Sequence, residues 1–198
     1  LIAPVYPSVG GGTVIYNPFS NTFTNGPVAA VNQNEATWLK LPDDSILTID
    51  PKTLNSERYI PSLNQWIPDA NLKVPIYSTN TEVGAALLLP NGKGLFLGGT
   101  GNTVLYTPSG NTSAGSWASG PSIPNGLVAR DAPAAMMSNG KVLCEFSPST
   151  SDTPIYFFEY DPTATPSAPN GSFAAVPSPT DPSNTPGTAD TSQITDQT

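Results

Sequence analysis

Histidine is absent from this 198-residue sequence, cysteine occurs once, and charged residues make up only 11% of the chain. Each scarcity excludes a class of chemistry. Without His, neither a Ser-His-Asp triad nor a Cys-His pair can be assembled from these residues. The lone Cys144 cannot form an internal disulfide. Its place in the run Lys141-Val142-Leu143-Cys144 marks it as a small buried hydrophobe rather than a reactive thiol. Seven Lys and Arg against fifteen Asp and Glu give a net charge of −8, and the basic residues are scattered. Nucleic-acid binding needs clustered cations to displace counterions from phosphate, so a nucleic-acid partner is not expected. The same imbalance is repelled by an anionic lipid surface. No apolar run is long enough to span a bilayer, so membrane insertion is not expected either.

What the chain has in quantity is punctuation. It carries 23 prolines and 17 glycines beside a 37% hydrophobic share. So many breakers leave no room for long helices, while the apolar content is too high for disorder along most of the length. An all-β domain of short strands and frequent turns satisfies both facts. Low Lys, abundant Asn, Ser, Thr and Pro, and an acidic balance resemble a secreted or surface-displayed protein. No signal peptide is visible, and a sequence that begins at Leu1 is expected to lack its native start. Two sequons, Asn111-Thr112-Ser113 and Asn170-Gly171-Ser172, permit glycosylation in a suitable cell.

The main signal is a repeat. Leu41-Pro42-Asp43-Asp44, Leu89-Pro90-Asn91-Gly92 and Met137-Ser138-Asn139-Gly140 follow one another at intervals of 48 residues. Each is flanked by apolar runs, such as Val83 to Leu89 before and Leu95-Phe96-Leu97 after. Strand, tight polar turn and strand make a β-hairpin. A second phrase pairs a Tyr with an aromatic farther on: Tyr16 with Phe23, Tyr59 with Trp66, Tyr106 with Trp117, and Tyr160 with Phe173. A Pro follows each Tyr two residues later, and turn formers fill the gap. This predicts a second hairpin with the Tyr on its first strand and the Trp or Phe on its second.

Four strands in 45 to 50 residues is the period of a propeller blade, whose apolar faces are buried by stacking on neighbouring blades. The periodic Tyr and Trp are expected to pack between blades. The order of apolar strand, Leu-Pro-Asn-Gly turn, strand ending in Gly98-Gly99, Tyr106-Thr107-Pro108 and Trp117 resembles kelch repeats. It is most similar to those of bacterial secreted and galactose-oxidase-like propellers. The middle repeat matches best; the first has Ile49-Asp50 where the Gly pair belongs, and the third has Glu145-Phe146. The resemblance implies β-propeller blades of four antiparallel strands over residues 1–177. About three and a half are expected: a half blade at 10–27, then blades at 33–75, 80–125 and 129–177. The Pro/Ser/Thr-rich segment 178–198 reads as a tail or connection. Such a count suggests a fragment of a longer propeller or one that a partner completes.

One acidic residue precedes the innermost strand of each full repeat: Glu35, Glu82 and Asp131, spaced by 47 and 49 residues. In a propeller these positions open at the mouth of the central channel. A ring of carboxylates there could hold Ca²⁺, which takes several oxygen ligands, or meet a basic partner. Arg130 would neutralise part of it. The plainer reading of each acid is a solvated loop residue. No cofactor is otherwise expected. Galactose oxidases hold copper through His and Tyr side chains, and without His that site cannot be built here. No motif singles out a carboxylate pair for glycoside hydrolysis. The favoured expectation is a non-catalytic module outside the cell that binds protein or carbohydrate through loops 69–81 and 118–130. The alternatives are an enzyme fragment whose catalytic residues lie in other blades, and an architectural subunit of a virus particle, filament or surface layer that self-assembles.

Overall fold

The structure is a computed structural model that describes residues 2–4, 11–77, 82–150 and 154–177. It is all-β, and its strands form four antiparallel sheets. The first holds β1 (Ile2–Pro4), β2 (Thr13–Asn17) and β3 (Thr22–Asn25). The second holds β4 (Trp38–Lys40), β5 (Ile46–Ile49), β6 (Ser56–Ile60) and β7 (Gln65–Pro68). The third holds β8 (Val83–Leu88), β9 (Gly94–Gly98), β10 (Thr103–Thr107) and β11 (Ser116–Ser119). In the fourth, β12 (Leu127–Val128) and β13 (Ala134–Met136) both pair with β14 (Val142–Pro148), followed by β15 (Tyr156–Asp161) and β16 (Ser172–Val176). The half blade expected from residue 10 thus gains a third strand from residues 2–4. The segment 178–198 lies outside the described residues, and among those no helix is long and apolar enough to cross a membrane.

The three repeated turns have one geometry. Asp44, Gly92 and Gly140 donate their backbone N–H to the carbonyls of Leu41, Leu89 and Met137 at 3.1, 2.9 and 3.0 Å. All three adopt positive φ, of 66°, 80° and 82°. That conformation is free of steric cost for Gly and tolerated by Asp, which explains the residue types found there. One position earlier, Asp43, Asn91 and Asn139 each accept the N–H two residues on through Oδ1, at 3.0–3.1 Å. Backbone and side chain together fix the register of the strands that follow.

The Tyr phrase behaves the same way. Tyr16, Tyr59, Tyr106 and Tyr160 lie directly opposite Phe23, Trp66, Trp117 and Phe173 in the register. Their ring centroids are 4.9–5.6 Å apart, in tilted arrangements that suit aromatic quadrupoles. Two residues before each aromatic stands Asn21, Asn64, Gly115 or Gly171, a regularity visible in the sequence once the pairs are aligned. In the short hairpins the Asn takes positive φ and its Oδ1 accepts the Tyr hydroxyl at 3.0 Å. In the long ones the Tyr ring lies against the Gly Cα, where a Cβ would collide with it.

The second, third and fourth sheets stack through two apolar seams. Alternation along β9 and β10 sends Leu95, Leu97 and Leu105 to one side, against Val142, Cys144, Phe146 and Phe158 of the fourth sheet. Phe96, Val104, Tyr106 and Trp117 go to the other, against Leu39, Leu41, Leu47 and Ile49 of the second. The third sheet is therefore buried on both faces, and Tyr106 and Trp117 pack between sheets as the repeat led one to expect. Burial pushes the Cys144 thiol up to about 12, so it stays protonated at neutral pH. Cys144 should react with a disulfide reagent at pH 8 only as the chain unfolds. Equal labelling rates in buffer and in urea would contradict this placement.

Candidate functional site

Strands β4, β8 and β13, the first strands of their hairpin repeats, run side by side, with β8 touching both of the others. The ladder between β8 and β9 shifts register between Val83 and Ala86. This bulge releases the Ala85 N–H from the sheet, and it donates instead to Ala132 O at 3.2 Å. A recess of about 330 Å³ opens where the three strands begin. Glu35 and Asp131 line it, together with Thr37, the bulge at Gly84-Ala85, and Pro133. Both acids are exposed and both hold positive φ, at 56° and 48°. For a Glu this backbone is uncommon and costs conformational energy.

Glu82, just before β8, is one residue out of step: counted from the repeated turns at Leu41, Leu89 and Met137, the counterpart of Glu35 and Asp131 is Val83, and it is Val83, not Glu82, that lines the recess. The Glu82 carboxylate lies 3.8 Å from Nε of Arg130, both side chains being largely buried. The structure thus gathers two of the three sequence-predicted acids and pairs the third with the arginine. Among the described residues, no three Asp, Glu or Cys side chains lie close enough to hold one metal ion. The recess offers a pair of carboxylates and bulged backbone, suited to hydrogen bonding with a polar or cationic group.

The described parts of loops 69–81 and 118–130 contribute buried residues to the seams of the stack. Leu72 and Ile76 are buried in the core between the second and third sheets, and Ile123, Leu127 and Ala129 in the core between the third and fourth. Pro75 O accepts both Thr100 Oγ1 and Asn102 Nδ2 at 2.9 Å. Residues 78–81 lie outside the described residues.

The most polar buried cluster was not anticipated. Arg58 of β6 is fully buried and donates through Nε to Asp69 Oδ2 at 2.6 Å. Its Nη2 donates to the carbonyls of Asn111 and Ser113, at 3.1 and 2.5 Å, and Nη1 lies 3.4 Å from Asp43. Asp69 also accepts from the Tyr106 hydroxyl at 2.9 Å, Ala70 N at 2.7 Å and Gly115 N at 2.9 Å. Burial, and next the negative Asp69, hold the Tyr106 phenol well above its ordinary range, so it remains a donor. Next to Arg58 along β6, the buried Glu57 carboxylate accepts the backbone N–H groups of Ala30 and Val31. These groups tie the second sheet to the third sheet's hairpin loop and to the segment after the first sheet.

A sequence signal for this cluster exists. The aligned third strands read Thr13-Val14-Ile15-Tyr16, Ser56-Glu57-Arg58-Tyr59 and Thr103-Val104-Leu105-Tyr106. Two charges stand in the second copy where the first and third have aliphatic residues; the fourth, Phe157-Phe158-Glu159-Tyr160, carries a single acid, at the Arg58 position. Asp69 in turn replaces Gly26 and Gly120: all three donate a backbone N–H to the carbonyl of Thr13, Ser56 or Thr103 at 2.8–2.9 Å. Acid and base appear together in a single repeat, as a mutually compensating pair must. Comparison of the chain with protein-family models and with curated protein sequences finds no match.

Proposed function

We propose that the four sheets are kelch-like propeller blades forming a non-catalytic module outside the cell, which binds protein or carbohydrate at the recess between Glu35 and Asp131. The observation that supports this reading is that β4, β8 and β13 lie side by side at that recess, in sheets stacked through two apolar seams. In a propeller the first strands line the axis and the loops before them shape its mouth. The exposed carboxylates and the positive-φ backbone beneath them favour ligands that donate hydrogen bonds or carry positive charge. Without His, the chain has no triad of the serine-hydrolase kind to turn such a site to catalysis.

The test is a binding screen of the purified chain against a glycan array that includes cationic chitosan oligomers, and against basic surface proteins. The strongest binder found should bind about tenfold more weakly to Glu35→Gln/Asp131→Asn. If nothing binds the parent chain, or if the double variant binds as well, the reading fails.

A further inference from the structure

The two sequons occupy unlike environments, and the difference assigns a modification site. Asn111 sits in the exposed loop joining β10 to β11. Its Oδ1 accepts the Ser113 N–H at 2.7 Å, and among the described residues no hydrogen bond engages its Nδ2. The loop backbone is held from within, because Arg58 donates to the carbonyls of Asn111 and Ser113. The acceptor nitrogen is thus presented on an anchored turn. Asn170 is half-buried, and its Nδ2 donates to Ser119 O at 2.8 Å, bridging the third and fourth sheets. Its carbonyl accepts the Tyr160 hydroxyl at 2.8 Å. It also lines a recess of about 430 Å³ with Gly120, Pro121, Pro124 and Phe173. A sugar on that nitrogen would crowd the recess and leave the nitrogen one hydrogen with which to keep the bridge.

We propose that Asn111 is an N-glycan acceptor and that Asn170 is not, so that the secreted chain carries one glycan, on the outer hairpin loop of its third sheet. The donor is a polyprenyl-pyrophosphate-linked oligosaccharide. A bond forms between Asn111 Nδ2 and the anomeric carbon, the bond from that carbon to the pyrophosphate oxygen breaks, and the amide nitrogen gives up one proton. The biological use of the site rests on the extracellular reading above.

The test is expression of the chain behind a secretion leader in yeast. Peptides from secreted and retained material are mapped after enzymatic deglycosylation in heavy-oxygen water, which marks each formerly glycosylated Asn. The secreted chain should carry one glycan, at Asn111. Asn111→Gln should abolish the glycan and Asn170→Gln should leave it. Ser113→Ala should abolish it too, while keeping the backbone carbonyls that Arg58 needs. Occupancy of Asn170 equal to or above that of Asn111, or an unmodified Asn111 in secreted chain, would overturn the assignment. The yeast host supplies the secretory route whatever the natural location. A failure here therefore leaves the binding reading standing, and a failed binding screen leaves this assignment standing.

Discussion

Arg58→Leu is expected to lower the stability of the chain by about 3–5 kcal/mol, the range for removing one partner of a buried ion pair. In a domain of this size that is a fall in Tm of roughly 6–20 °C. The cost comes less from the lost attraction than from what is left behind. Asp69 would stay fully buried with no cation beside its negative charge, and the carbonyls of Asn111 and Ser113 would keep only the Ser109 hydroxyl as a donor. The repeat supplies the control. At the equivalent positions the third sheet carries Leu105 and Gly120, a pair that works without charge. Arg58→Leu/Asp69→Gly transplants that solution, removing the stranded carboxylate and leaving Tyr106 to find another acceptor. The double variant should recover more than half of the single variant's loss, a coupling that additive effects cannot produce. Thermal unfolding of the three proteins decides the matter. A single variant within about 1 kcal/mol of the parent would mean that the ion pair does not hold the two sheets together.

The contrast between this cluster and the hairpins shows what a single sequence discloses. The turns at Leu41, Leu89 and Met137 were legible because their requirements are local: one residue able to take positive φ and an Asx side chain three residues before the next strand. The Tyr–aromatic pairs were legible for a related reason, since a hairpin of known length fixes which residues face each other. The acids before the innermost strands were found from their spacing, but spacing could not say where each side chain points. Glu82 stands one residue out of step with Glu35 and Asp131 when counted from the repeated turns, and its carboxylate lies beside Arg130 instead of in the recess. The Arg58 cluster needs residues 43, 58, 69, 106 and 113 to meet across two sheets, which no periodicity encodes. Only a position-by-position alignment of the repeats exposes the charges as exceptions, and it names the pair without giving the geometry.

The repeat also sets up a paired experiment on the stacking itself. Trp117 and Phe23 hold the same place, each opposite the Tyr of its sheet, yet Trp117 is 4% exposed and Phe23 is 69% exposed. Trp117 lies in the seam against the second sheet, where its Nε1 donates to Ser56 Oγ at 3.2 Å. Phe23 packs on Tyr16, on a sheet whose hairpin also carries the 99% exposed Phe19. Trp117→Ala should open a large cavity and cost about 3–5 kcal/mol. Phe23→Ala removes an exposed cross-strand pair, worth about 0.2–1 kcal/mol. Denaturant unfolding of the two variants at several protein concentrations reads the difference directly. If Phe23→Ala were as costly as Trp117→Ala, the bare aromatic face would have to be buried in solution, and the loss should then deepen on dilution as an interface between copies dissociates. A large Trp117 effect beside a small, concentration-independent Phe23 effect places the stabilisation in the seams between stacked sheets rather than in the hairpins that build them.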